Sequence, residues 1–311
     1  MNFDLSEEQQ AVRDAAAQVL GGERATWAEV AKADLLGIAL PTSVGGSGHT
    51  FFELALILEQ QGGAGVHLPI VPTVVTALAI AAFGTDEQQQ KWLPGVISGD
   101  TILTAVLDDA LPYAPYADEA DAILVGDRLV PSSALDVTAL QTTSGEPQGL
   151  VRVTGEGERL DVPTTWLHER WMAALCALQA GISDKALKLT AEYTTGREQF
   201  GKPVATFQAV AQRAADAYID VQAIQLSAYQ AAWRLAEGLP AANEVAVAKF
   251  WAADGGTRVA LAAQNLHGGI GVDTDYPLHT FTTWTKQIEL TLGSATPSLA
   301  RLGKAIADEP I

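Results

Sequence analysis

The sequence predicts a mainly α-helical chain with a small β insert. Apolar residues recur at helical spacing over 1–106 and again from about 166 to 307, whereas the stretch between breaks into short β-prone runs separated by turn residues. The expected organisation is an N-terminal helical domain (1–106), a truncated β-domain (107–164) and a C-terminal bundle of about four helices (165–311).

In the first region, Ser6 with Gln9 and Thr85 with Gln88 have the spacing of capping boxes, in which a hydroxyl and a side-chain amide satisfy free backbone groups at a helix start. The run "FFELALILEQQG" is apolar at helical spacing and is expected to stop at its glycine. "PTSVGGSG", residues 41–48, reads as an interhelical loop. A glycine loop can cradle phosphate, but no strand precedes this one and no lysine follows, so a plain turn is expected. In the second region, "DAILVG", "RLVPS", "GLVRVTG" and "ERLDVP" suggest a small antiparallel sheet. In the third, Leu175, Leu178, Ile182, Ala186, Leu189 and Tyr193 fall on one stripe. Phe207, Val210, Ala214, Tyr218, Val221 and Ile224 fall on another, and breaks are expected at 196–206, 238–240 and 267–277.

Composition narrows the function classes. The 311 residues include 19 basic and 37 acidic ones, for a formal charge of −18. Such a surface repels nucleic-acid phosphates and anionic lipid heads, so neither nucleic acid nor membrane is an expected partner. Apolar stretches such as 66–83 are interrupted by prolines, and no transmembrane span is expected. The start "MNFDLSEEQQ" is polar and acidic, unlike a signal peptide. The lone Cys176 excludes an intrachain disulfide and a cysteine-based metal site. Together these features point to a cytoplasmic protein without a bound metal.

Against that background "REQFGKPVATFQ", residues 197–208, commits a scarce arginine to a glycine-interrupted link between two helices. By itself this could be a helix connection whose charges face water. Further segments stand with it: "FDLSEEQQAVRD", "LLGIALPTSVGGSGHTFFELALILEQQG", "FGTDEQQQKWLPGVISGD" and "NLHGGIGVDTDYPL". In this order, and across nearly the whole chain, they resemble the acyl-CoA dehydrogenase family. In that family helical domains flank a β-domain, and FAD lies across a subunit interface. The flavin ring rests on the β-domain of one subunit, and Arg-x-x-Phe-Gly and Gly-Gly-x-Gly segments of the neighbour hold the ADP end.

The resemblance implies that Arg197, Gln199, Phe200, Gln208, Asn265, His267, Gly268 and Gly269 bind FAD. The residue types suit the task. A guanidinium fork matches a pyrophosphate, a phenyl ring covers a flat ring face, and side-chain amides read polar edges. Glycine lets backbone approach phosphate or ribose where a Cβ would collide. Asn265 stands in place of the family's usual glutamine.

The reaction the family performs needs a carboxylate to take the α proton of an acyl-CoA while the flavin accepts a hydride from Cβ. Counting along the motifs puts Leu292 and Trp171 at the positions that normally supply that base. Glu169 and Glu289 are displaced by two and three residues, which makes them weak catalytic candidates. The β section is shorter than usual. Its Thr-Glu-Pro-x-Ala-Gly-Ser-Asp run is replaced by "TAVLDDALPYAP", and the flavin-supporting Trp-Ile-Thr-Asn segment is missing. These departures resemble the shortened subunit of actinobacterial α2β2 acyl-CoA dehydrogenases that act on bulky, steroid-derived CoA thioesters. No catalytic residue is then expected in this chain, and a fuller-length subunit is the expected partner. Competing readings are a scaffold subunit without flavin contacts and a self-sufficient homo-oligomer using Glu169 or Glu289.

Overall fold

The structure, a computed structural model, describes residues 4–22, 25–108 and 110–308; Phe3 of the first motif lies outside them. The chain opens with five helices: α1 (Glu7–Leu20), α2 (Trp27–Lys32), α3 (Phe51–Ala64), α4 (Ile70–Phe83) and α5 (Asp86–Ser98). Strands β1 (Leu103–Ala105), β2 (Tyr113–Pro115), β3 (Ala122–Val125), β4 (Arg128–Pro131), β5 (Leu135–Leu140), β6 (Gln148–Val153) and β7 (Glu158–Arg159) follow. The helix α6 (Thr164–Gly196) then leads through a hairpin, β8 (Glu198–Gln199) and β9 (Lys202–Pro203), into α7 (Gln208–Ala236). The chain closes with α8 (Ala242–Phe250), a π turn at Trp251–Gly255, α9 (Gly256–His267), α10 (Leu278–Thr291) and α11 (Ala295–Asp308). A mainly helical chain with a small β insert is the fold expected.

Two compact units result, one of Leu5–Leu58 with Val66–Ala174, the other chiefly of Glu59–Gly65 with the chain from Leu175 onward. In the first unit both expected capping boxes form, and Thr26 with Glu29 makes a third at the start of α2. The glycine loop after α2 is a turn that consumes its own donors. The N–H groups of Gly46, Ser47, Gly48 and His49 go to the carbonyls of Pro41, Gly37, Leu40 and Ile38, so the donors of the glycine stretch are already used. The four expected strands are present as β3, β4, β6 and β7, but a single antiparallel sheet is not what forms. There are two sheets, of order β1-β3-β4-β7 and β2-β6-β5, and β1 pairs with β3 in parallel. Ala114, Ala117, Ala120, Ile123 and Val151 form an apolar cluster in this region, joined by Val106.

The second unit is the helical bundle, in which α7 lies against α8 and α9, α9 against α10, and α11 against α8. The helix α3 does not stop at its first glycine, as expected, but runs to Ala64. Gly62 serves close approach instead. A Cβ there would lie 2.0 Å from the carbonyl oxygen of Leu178, and one on Gly181 of α6 would lie 1.8 Å from the carbonyl oxygen of Glu59. Backbone meets backbone at this crossing, and no side chain fits between.

The buried stripes also drift from those expected. On α6 the inward face passes from Ile182 and Ala186 to Thr190 and Thr194, while Leu189 and Tyr193 are half-buried. The two threonines tolerate burial because their hydroxyls donate to the carbonyls of Ala186 and Thr190, at 2.7 and 2.8 Å. On α7, Tyr218 is 57% exposed and Ala217 and Val221 take the buried face. No described helix is long and apolar enough to cross a membrane, and no described acidic, histidine or cysteine residues cluster as a metal site.

Candidate functional site

All the residues expected to hold a nucleotide lie in the second unit. Arg197 follows the end of α6, its N–H donating to the carbonyl of Tyr193 at 2.9 Å. The chain then makes the two-residue hairpin β8–β9, with Phe200 and Gly201 at its tip at φ 55° and 75°. Both turn residues in the left-handed region is the geometry of a type I′ turn, where Asn-Gly or Gly-Gly is favoured and phenylalanine is costly. Phe200 is nevertheless 92% exposed, touching Phe207 edge-on at 6.2 Å. Apart from that edge contact, the ring is held out in water on a disfavoured backbone.

The second arm of the site is the turn after α9. Gly268 has φ 66° and ψ −140°, a conformation open only to glycine, and a Cβ there would meet nothing within 4 Å. Gly269 has ordinary backbone and equally open surroundings, so neither strain nor packing within the chain demands a glycine. Gly271, by contrast, abuts the carbonyl of Gln264, which explains it structurally. His267 sits beneath the loop and is buried. Its ring stacks on Tyr193 at 4.5 Å and leans on Tyr276 at 5.3 Å, and its Nδ1 is 2.8 Å from the Ala263 carbonyl. That carbonyl requires a proton on Nδ1, and burial holds the imidazole below its usual pKa, so the ring is neutral near pH 7. The ring braces the glycine loop against the end of α6, and it does not face outward.

Charge gathers here against the trend of the molecule. Arg197, Lys202 and Arg213 make no ion pair with any described residue. Lys202 sits 4.4 Å over the Phe207 ring, and Arg213 donates to the side-chain oxygen of Asn265. Gln208 is exposed at the first turn of α7, while the Gln199 amide donates to the Glu198 carbonyl at 2.8 Å. Sequence reasoning missed Arg213 and the Tyr193–His267–Tyr276 stack. Tyr193 had been assigned to the core stripe, and the only signal for Arg213 was the scarcity of basic residues.

Trp171 and Leu292, which the motif resemblance puts at the positions of a catalytic carboxylate, are buried apolar side chains. Glu289 accepts from the Thr257 hydroxyl at 2.9 Å and pairs with Lys286 at 2.8 Å, which commits it to a structural bridge between α9 and α10. Glu169 is half-buried near the start of α6, beside Arg170, whose guanidinium lies 3.8 Å over the Trp166 ring.

Family models for the acyl-CoA dehydrogenase N-terminal and C-terminal domains match residues 6–100 and 162–306. The acyl-CoA dehydrogenase FadE27 of Mycobacterium tuberculosis is 36% identical over 93% of this chain and 89% of its own. The chain belongs to the acyl-CoA dehydrogenase family. Members of this family are FAD-dependent oxidoreductases. Among solved structures, the ChsE4–ChsE5 complex of Mycobacterium tuberculosis contains a chain 34% identical to this acyl-CoA dehydrogenase, with TM-score 0.92 and full coverage of both chains. A chain of the steroid acyl-CoA dehydrogenase Tcur3481–Tcur3483 is 35% identical, with TM-score 0.89 and coverage of 97% of this chain and 98% of that one.

Proposed function

We propose that this chain is the shortened subunit of a heteromeric, cytoplasmic acyl-CoA dehydrogenase and holds the nucleotide end of an FAD whose reactive ring belongs to a fuller-length partner subunit. The observation that carries this reading is the exposed Phe200 on left-handed backbone beside the unpaired Arg197. The donor set fits the group. A guanidinium fork and two further cations answer the pyrophosphate, Phe200 offers a face to a flat ring, and the open space at Gly269 admits backbone contact. When bound, FAD supplies the acceptor for the two electrons removed from the acyl-CoA. This chain's part is to grip and orient it.

The fine points of the assembly are supported by likeness: ChsE4–ChsE5 and Tcur3481–Tcur3483 are two-component complexes, and the latter is a steroid acyl-CoA dehydrogenase. We infer an α2β2 heterotetramer acting on a bulky, steroid-derived acyl-CoA, with the partner supplying the base that Trp171 and Leu292 cannot. The chain alone is therefore expected to oxidise no acyl-CoA, whereas the complex with its partner is active. In that complex, Glu169→Gln and Glu289→Gln are expected to change kcat less than about threefold, because removing a general base costs on the order of a hundredfold or more. A hundredfold fall in kcat for either variant, with the fold intact, would return catalysis to this chain.

Gly269→Ala separates ligand contact from folding. The new methyl meets open space on ordinary backbone, so thermal stability should change by less than about 0.5 kcal/mol. FAD retention through gel filtration is expected to drop clearly. Unchanged flavin content would remove the glycine loop from the site.

A further inference from the structure

The helices α7 and α9 are tied together at two places, and the two ties differ in kind. Asp220 of α7 takes the Arg258 guanidinium of α9 in a bidentate ion pair, with bonds of 2.8 and 2.6 Å. Two helical turns away on both helices, Arg213 of α7 donates from Nη1 to the side-chain oxygen of Asn265 on α9. The second tie joins a charge to a neutral amide. Acids are plentiful in this chain, and Asp216 stands one turn further along α7, yet Arg213 pairs with none of the described ones.

That bond fixes which way the amide faces. A guanidinium carries donors only, so the carbonyl oxygen of Asn265 must be turned toward it and the amide nitrogen away. Asn265 can then offer a ligand two N–H donors and no free acceptor. Its main chain belongs to the glycine turn, since the N–H of Gly268 donates to the Asn265 carbonyl. Both Asn265 and Arg213 are exposed, so the amide is open to a ligand lying over that turn. An exposed amide left to itself rotates freely, and a ligand must then stop that rotation on binding. Here the guanidinium, in a helix pair already held in register by Asp220 and Arg258, stops it beforehand.

We propose that Arg213 is a positioning residue for flavin binding, which locks the Asn265 amide with its N–H groups toward an acceptor oxygen of the FAD pyrophosphate or ribose. This rests on the FAD reading above and adds two things to it, a residue that acts through another and the polarity of one contact. The charge of Arg213 still contributes to the positive field of the site. Its bond to Asn265 contributes orientation, in the way that outer hydrogen bonds orient the groups that touch a ligand.

The test is FAD dissociation from the co-purified complex, followed by flavin fluorescence on dilution. Asn265→Asp keeps the shape and keeps a partner for Arg213, but it replaces the two donors by a carboxylate oxygen. FAD affinity is expected to fall at least tenfold in that variant. Arg213→Met should weaken binding at least fivefold, and Arg213→Lys should restore most of the loss, because an ammonium also donates to the amide oxygen. Combining Arg213→Met with Asn265→Ala measures the coupling between them. A positioning role predicts a combined loss at least threefold smaller than the product of the two single losses. Losses that simply multiply, a lysine that restores nothing, or full affinity in Asn265→Asp or Arg213→Met overturns the proposal. Arg197→Ala distinguishes this from failure of the FAD reading: flavin lost there but retained in Arg213→Met removes only the role of Arg213.

Discussion

Replacing Arg197 by alanine in the purified complex is expected to weaken FAD binding by roughly 30- to 150-fold, which corresponds to about 2–3 kcal/mol for a charge-assisted hydrogen-bond pair. Inside its own chain the side chain has no described partner. It is exposed and makes no hydrogen bond or ion pair with a described residue, so its removal should leave thermal stability within about 0.5 kcal/mol. A loss confined to flavin content therefore reports a ligand contact, free of any folding defect. Arg197→Lys should recover part of the affinity, because an ammonium keeps the charge but not the planar fork. If Arg197→Ala leaves the flavin content unchanged, the scaffold reading gains and the FAD reading fails.

The second large effect concerns the fold. Gly181→Ala is expected to destabilise the protein by at least about 3 kcal/mol, a fall in Tm of roughly 6–12 °C. The added methyl would sit 1.8 Å from the Glu59 carbonyl oxygen and 2.7 Å from the Gly63 nitrogen. Neither is a side chain that could swing aside, so α3 and α6 must separate. Gly63→Ala is the control. Its methyl would lie 3.7 Å from the nearest atom, the Gly181 carbonyl oxygen, which is an ordinary contact. Alanine also favours a helix over glycine, so that variant should change stability by no more than about 1 kcal/mol, toward greater stability. Comparable Tm values for the two variants would show that the crossing is looser than its geometry indicates.

These glycines also show where the sequence misleads. A glycine that ends a helix and a glycine that lets another helix approach look alike in one dimension, and the partner that decides, Gly181, is far away along the chain. The capping boxes at Ser6 and Thr85 were legible because both partners lie within one turn. The same holds for the long helices, whose stripes needed only local correction where threonines replaced Leu189 and Tyr193 on the inward face. The sheets were harder. The strand β1 is a short apolar run that continues the texture of the helical region, β2 ends in a proline, and β5 is mostly exposed. Parallel pairing of β1 with β3 leaves no trace in alternation.

The candidate site divides in the same way. Arg197, Phe200 and the glycine pair stand out as motif residues, and their exposure agrees with an intermolecular role. The left-handed backbone of Phe200 could not be read from its neighbours, since a Phe-Gly tip does not advertise the turn that Asn-Gly would. His267 was expected among the cofactor contacts, and we now infer that it acts from beneath, by bracing the loop. Its neighbours Tyr193 and Tyr276 come from separate helices and loops, so only the folded chain unites them.

We infer that one chain type grips the tail of a flavin seated in another. Absorbance and amino-acid analysis of the co-purified complex measure FAD per chain directly. Half as much FAD as total chains, two in a four-chain assembly, is the expected stoichiometry. One FAD for every chain, or flavin bound by the isolated short chain, would contradict it.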